Sequence, residues 1–372
     1  MRTEICDRLG IEFPIFAFSH CRDVVAAVSK AGGLGMLGAL VFSPEQLEIE
    51  LNWIDEHVGG KPYGVDVVMP AKYEGADLTG KDLEGTLRGM IPATHVEYVE
   101  AILTRYGVAP LPPDEPKPKA LLGWSEGAGR SQVDIALQHP IKLIANALGP
   151  PPEDVVVQAH EQGVLVAGLV GDANQARKQV DVGVDIIIAS GTEAGGHTGE
   201  VATFVLVPEV VDAISPVPVL AAGGIGDGRQ VAAALALGAQ GVWTGSIWLT
   251  VAEADTTPLI REKLLAAGSR DTVRSRALTG KPARQLRTAW TDAWDDPNGP
   301  GPLPMPLQFM LTAEAQHRIG RSGNKELAGM PVGQIVGRMN SIRTTQDVMY
   351  GLVEGAIKTI EEMQAKLGSV VG

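Results

Sequence analysis

Short runs of consecutive apolar residues recur along this chain, and most are followed by a stretch whose apolar positions repeat at helical spacing. The runs fall at 14–19, 34–40, 63–70, 141–148, 164–170, 185–193, 218–225 and 241–249. Between them the spacing predicts helices over 22–33, 43–60, 150–163, 172–183, 206–215 and 227–238, with a last one over 344–367. The segment 43–60 shows the local reasons best: Ser43 suits a helix N-cap and Pro44 the first helical position. The strand runs do not alternate apolar with polar, as expected of strands buried on both faces of a parallel sheet. Eight strand–helix repeats fit a closed (β/α)8 barrel better than an open doubly wound sheet.

The rhythm breaks twice. Residues 71–134 are rich in Pro and Gly around one predicted helix, 93–107, and read as an insertion after the third strand. Residues 251–340 follow another pattern and read as a mostly helical cap that shapes a substrate pocket. The expected organisation is a barrel made of 1–250 and 341–372, with the 251–340 cap inserted before its last helix.

Composition narrows the picture. The 372 residues carry a formal charge of −13 and no cluster of Lys or Arg, which argues against nucleic acid as a partner. Two cysteines, Cys6 and Cys21, make neither a disulfide framework nor a metal motif, and no metal site is expected. The N-terminus has acids early and no long apolar run, so a leader or membrane helix is not expected and the reading is cytoplasmic. Oligomeric state is not set by the sequence, and a homo-oligomer stays open.

Active sites of such barrels lie at the C-terminal strand ends, often with a phosphate site after the last two strands. The seventh predicted strand ends in Gly223, Gly224, Gly226 and Gly228, and the eighth carries Trp243, Thr244, Gly245 and Ser246. Glycine lets backbone N–H groups approach an anion. Asp227 reads as a helix cap. The sixth strand runs into Gly191, Gly195, Gly196 and Gly199, with Glu193 and His197 among them. Such a stretch is either a flexible connection or a place where backbone passes close to a ligand. Its position beside a phosphate site favours the second, with Glu193 bracing the loop and His197 presented for proton exchange. His20 lies at another strand end and is a candidate lining residue. His57, His95 and His160 lie on predicted helices and are expected to face solvent. The chain has no G-x-S-x-G, GxxxxGK[ST] or HExxH motif, and the acid that a dinucleotide fingerprint needs after "GGIGDG" is absent.

With these residues in view the chain resembles the nitronate monooxygenases, formerly 2-nitropropane dioxygenases, which are FMN-dependent barrel enzymes. The similar pieces are "AAVSKAGGLGMLGAL", "SGTEAGGHTGE", "PVPVLAAGGIGDGRQVAAALALGAQGVWTGS" and "TGKPAR". The resemblance implies that His197 is catalytic, that Gly223, Gly224 and Trp243 to Ser246 bind the FMN phosphate, and that Ser190 and Gly195 contact the flavin. It places Ala17, Phe18 and Asp66 at cofactor-contacting positions. Two of these depart from the family: a Gln-Gly-Gly is replaced by the segment from Phe16 to His20, and Asp66 stands where Asn is usual. The activity implied is oxidation of alkyl nitronates by FMN and O2. NAD(P)H-dependent reduction of an enoyl thioester or quinone is the alternative, since FMN reductases share the central motifs. A barrel that binds a phosphorylated metabolite without redox chemistry is the third reading.

Overall fold

The computed structural model describes residues 1–69, 83–115 and 126–371. Eight parallel strands close into a barrel: β1 Ile15–Ser19, β2 Leu34–Gly38, β3 Tyr63–Val68, β4 Leu143–Ala147, β5 Leu165–Val170, β6 Ile186–Ser190, β8 Val219–Ala222 and β9 Gly241–Thr244. The strand β7, Gly196–His197, lies outside the barrel. It joins β10, Thr272–Ser275, and β11, Ala283–Leu286, in a small sheet ordered β10–β11–β7.

The barrel strands carry apolar residues on both faces because they have two cores to fill. Phe16, Leu34, Met36, Ile186, Ile188 and Leu220 fill the lumen. Ile15, Val25, Val65, Val67, Ile187 and Val242 pack between the strands and the helix layer. The lumen is stopped at its N-terminal end by the helix Glu4–Leu9, whose Ile5, Cys6 and Leu9 join the lumen cluster. That helix was not expected; at six residues it is too short to display a period. The helix Pro44–His57 forms with the reciprocal cap its sequence suggests, Ser43 Oγ accepting from the Gln46 N–H while the Gln46 side chain accepts from the Ser43 N–H.

Two boundaries differ from the sequence reading. The helix Glu126–Ala136 begins inside the expected 71–134 insertion and runs past its end, and it packs on β3 and on Pro44–His57 as a barrel helix. Much of the rest of that insertion, 70–82 and 116–125, lies outside the described residues. The run 241–249 stays extended only to Thr244, and a 3-10 helix follows over Ser246–Thr250.

The two segments outside the barrel rhythm share one core. The helix Ala93–Arg105 lays Val99, Ile102 and Leu103 against Trp290, Trp294 and Ile319 from the 251–340 region. Arg318, whose side chain is buried, pairs with Glu100 at 2.6 Å and donates to the carbonyls of Val108 and Ala109. This core sits beside the C-terminal mouth of the barrel through the β10–β11–β7 sheet.

Candidate active site

Aromatic side chains cluster at and below the C-terminal strand ends. Phe16 and Trp243 stack with ring centres 6.4 Å apart, and Phe18 lies against Trp243 at the same separation. Strand alternation decides which neighbours join them. Phe18 and Trp243 belong to the lumen side, whereas Ala17 turns outward into the helix-facing core. Thr244 also turns away, its Oγ1 donating to the Phe16 carbonyl and accepting from Trp248 Nε1. The side chains of Ala17 and Thr244 therefore point away from the mouth, and only their backbone faces it. Period-two alternation puts neighbouring residues on opposite faces.

The turn after β8 carries the expected glycines in left-handed backbone. Gly223 and Gly224 follow β8 with φ of +101° and +68°, values that side chains other than glycine rarely adopt. Their N–H groups meet no acceptor among the described residues. Gly245 and Ser246 lie on the adjacent rim after β9, and Ser246 Oγ accepts from the Gly333 N–H at 2.8 Å. Asp227 caps the following helix by accepting from the Arg229 N–H, and it also pairs with Arg338 at 2.6 Å. That helix terminus is satisfied from within, so the available donors are those of the glycine turn.

The loop after β6 is held by protein on nearly every side. Glu193 accepts from the Thr203 N–H with both oxygens, starting the helix Thr203–Ile214 three residues before the expected boundary. A side chain at Gly195 would strike the backbone of Val332 and Gly333, and one at Gly199 would strike Gly171. Both glycines are accounted for by close packing against other backbone, so the close approach inferred from the sequence is largely to protein. Gly196, at φ +78°, has open space instead.

This clamping delivers His197. Its backbone pairs with Ala283 of β11, and its Nε2 shares a hydrogen bond with Thr279 Oγ1 at 2.8 Å. Burial and the nearby positive Lys281 lower its pKa to about 4, so the ring is neutral near pH 7. Arg284 reinforces the loop from β11, donating to the Thr192 carbonyl at 2.8 Å. Thr279, Lys281 and Arg284 belong to "TGKPAR", a piece noted for resemblance but given no role from the sequence. No local pattern could have placed Thr279 beside a histidine 82 positions earlier.

Three further residues complete the mouth. Ser190 ends β6, buried. His20 stands at the end of β1 with Nδ1 2.8 Å from the Gly38 carbonyl and its ring edge-on to Phe18. Its outer edge is open to solvent, but the loss of hydration on the packed side lowers its pKa. Asp66 sits in β3 between Gly38 and Ala145 of the flanking strands, 6% exposed, and burial holds its carboxyl pKa well above the ordinary value. Of the helix histidines, His57 and His160 are exposed, while His95 is half-buried and stacks near Trp294, because its helix faces the second core. No metal-holding cluster and no helix long and apolar enough to cross a membrane occur among the described residues.

Comparison with known proteins gives a consistent picture. The family model described as nitronate monooxygenase matches residues 3–355. A Mycobacterium tuberculosis protein described as "Putative monooxygenase" is 57% identical over 98% of this chain and 99% of its own length. A Staphylococcus aureus protein described as "Probable nitronate monooxygenase" is 30% identical over 90% of this chain and 91% of its own. Among solved structures, FabK from Thermotoga maritima has a TM-score of 0.74 at 27% identity, covering 98% of this chain and 99% of that one. A nitroalkane oxidase from Streptomyces ansochromogenes has a TM-score of 0.80 at 24% identity, covering 96% and 99%, and shares the fold.

Proposed function

Because the chain belongs to the nitronate monooxygenase family, we propose that this oxidoreductase holds FMN in its barrel mouth and oxidises alkyl nitronates with O2 to carbonyl compounds and nitrite. The residues suit that cofactor. The N–H groups of Gly223 and Gly224, with those of Gly245 and Ser246, are donors for a phosphate. Phe18 and Trp243 offer apolar ring surface to a ring system, and Ser190 and Asp66 lie on the lumen-facing rows of the same barrel. Bound FMN supplies the electron-accepting chemistry.

The protein's own share is placement and charge. The observation that carries the reading is the pairing of a neutral His197 with the positive Lys281 on one rim of the mouth. An anionic nitronate suits that pairing: the ammonium favours its charge, and the imidazole hydrogen-bonds without competing for a proton. A ring whose pKa is about 4 is a weak proton acceptor near pH 7, which favours the preformed nitronate over the neutral nitroalkane as substrate. His197 then orients the anion, Thr279 fixes the ring, and the clamped loop keeps both on the rim. His20 lines the opposite side of the mouth.

The test is anaerobic mixing of the FMN-loaded protein with propyl-2-nitronate. Loss of the oxidised flavin absorbance is expected, followed by its return with nitrite release when O2 is admitted. Full retention of the absorbance with nitronate, together with rapid loss on adding NADH or NADPH, would replace this reading with reduction of an enoyl thioester or quinone.

A further inference from the structure

The peptides of the glycine turn after β8 are each held by their carbonyl oxygens. The Ala222 carbonyl accepts from the Gly191 N–H at 3.0 Å and from Thr203 Oγ1 at 3.0 Å. The same hydroxyl is shared with the Gly223 carbonyl at 3.2 Å. The Gly224 carbonyl accepts from the side-chain amide of Gln230, whose Oε1 also takes the Gly226 N–H at 2.9 Å. Gln230 lies in the first turn of the helix Gly228–Ala236, so the helix reaches back to brace the turn that leads into it.

A trans peptide is planar, and its C=O points opposite to the N–H of the next residue. Holding the carbonyls of Ala222, Gly223 and Gly224 against Thr203 and Gln230 therefore turns the N–H groups of Gly223, Gly224 and Ile225 away from those side chains. None of these N–H groups meets an acceptor among the described residues, whereas the Gly226 N–H is already used by Gln230. Successive free N–H groups in such a turn make an anion-binding concavity. Glycine permits this backbone but does not fix it. Released from Gln230, the peptide between Gly224 and Ile225 is free to turn over, which would put a carbonyl oxygen where an anion needs a donor. The two bonds of Gln230 fall on either side of Ile225 and oppose that rotation.

Resting on the FMN reading above, we propose that Gln230 and Thr203 are positioning residues for the cofactor phosphate. Neither side chain is a ligand. Together they set the direction of the backbone donors, and so set the preference for FMN over riboflavin, which has the same ring system and no phosphate.

The experiment compares wild type with Gln230→Met, Thr203→Val and Thr203→Ser. Methionine is close to glutamine in length and suits a helix, and valine matches the shape of threonine without its hydroxyl. Dissociation constants for FMN and riboflavin are read from flavin fluorescence, and phosphorus NMR reads the surroundings of the bound phosphate. Wild type should prefer FMN. Gln230→Met should weaken FMN about tenfold or more and leave riboflavin within about twofold, as expected when one hydrogen bond to a charged group is lost. Its bound phosphorus resonance should also move. Thr203→Val should behave alike, and Thr203→Ser should restore the wild-type values. FMN and riboflavin weakening in parallel would mark a merely structural role and overturn the proposal. Full FMN affinity in either Gln230→Met or Thr203→Val, with wild type still preferring FMN, would overturn it alone. Wild type that binds neither flavin would remove the FMN reading, and this proposal with it.

Discussion

Replacing Lys281 by Met tests how the mouth keeps its histidine neutral. The ordinary histidine value is 6.5 and His197 lies at about 4, with burial the larger cause and Lys281 the second. Removing the ammonium therefore recovers less than half of the difference, moving His197 to no more than about 5. The sign for stability follows from linkage. The unfolded ring takes up a proton near 6.5 and the folded ring only near 4, so the contribution is complete above 6.5 and is lost as pH falls through that window. At about 1.4 kcal/mol per pH unit, and allowing for the ring's half-open position, the loss by pH 4 is about 2–3 kcal/mol. The assay is NMR of isotopically labelled histidine. The chain has seven histidines, and His197→Gln identifies the resonance by its absence. Denaturant unfolding at pH 7 and pH 4.5 adds the second reading, in which H197Q should lose less stability than wild type. A wild-type titration near 6.5, or a K281M resonance that does not move, would refute the account.

Other consequences are equally measurable. Thr279→Val should lower turnover about 10-fold or more while leaving FMN retention unchanged, and Thr279→Ser should restore most of it, because the hydroxyl holds the His197 ring at 2.8 Å. Gly224→Ala should weaken FMN binding by at least about tenfold in fluorescence titration, since alanine resists φ +68° and its Cβ would press on Glu193 3.0 Å away. Ile188→Ala, in the lumen, should cost about 2–5 kcal/mol in urea unfolding without moving the glycine turn.

The barrel was legible because its strands announce themselves: continuous apolar runs at 186–189 and 218–222 need two buried faces, and few folds supply them eight times. The glycine turn was legible for a related reason, as Gly223 and Gly224 sit where a strand must turn with positive φ. What stayed hidden depends on contacts distant in the chain. The helix starting at Thr203 begins early because Glu193, ten residues back, caps it across a loop. The family resemblance marks Ala17 and Thr244 as cofactor-contacting positions, but it does not say that the strand period turns their side chains outward. The family resemblance pointed to His197 but not to the Thr279 hydroxyl that holds it, which comes from a separate strand pair.

The short sheet that carries His197 has a consequence for how such a protein can change over generations. One strand comes from the barrel's sixth loop, and the other two come from the 251–340 region. That region also supplies Gly333 to Ser246 and Gln334 to the Glu193 carbonyl. The 251–340 region is thus stitched by hydrogen bonds to the loop that carries His197. On the function proposed above, a recombination that swapped this region for a relative's version would disturb the setting of His197 at the same time. New substrates are then reached more readily by point changes within this unit than by shuffling it.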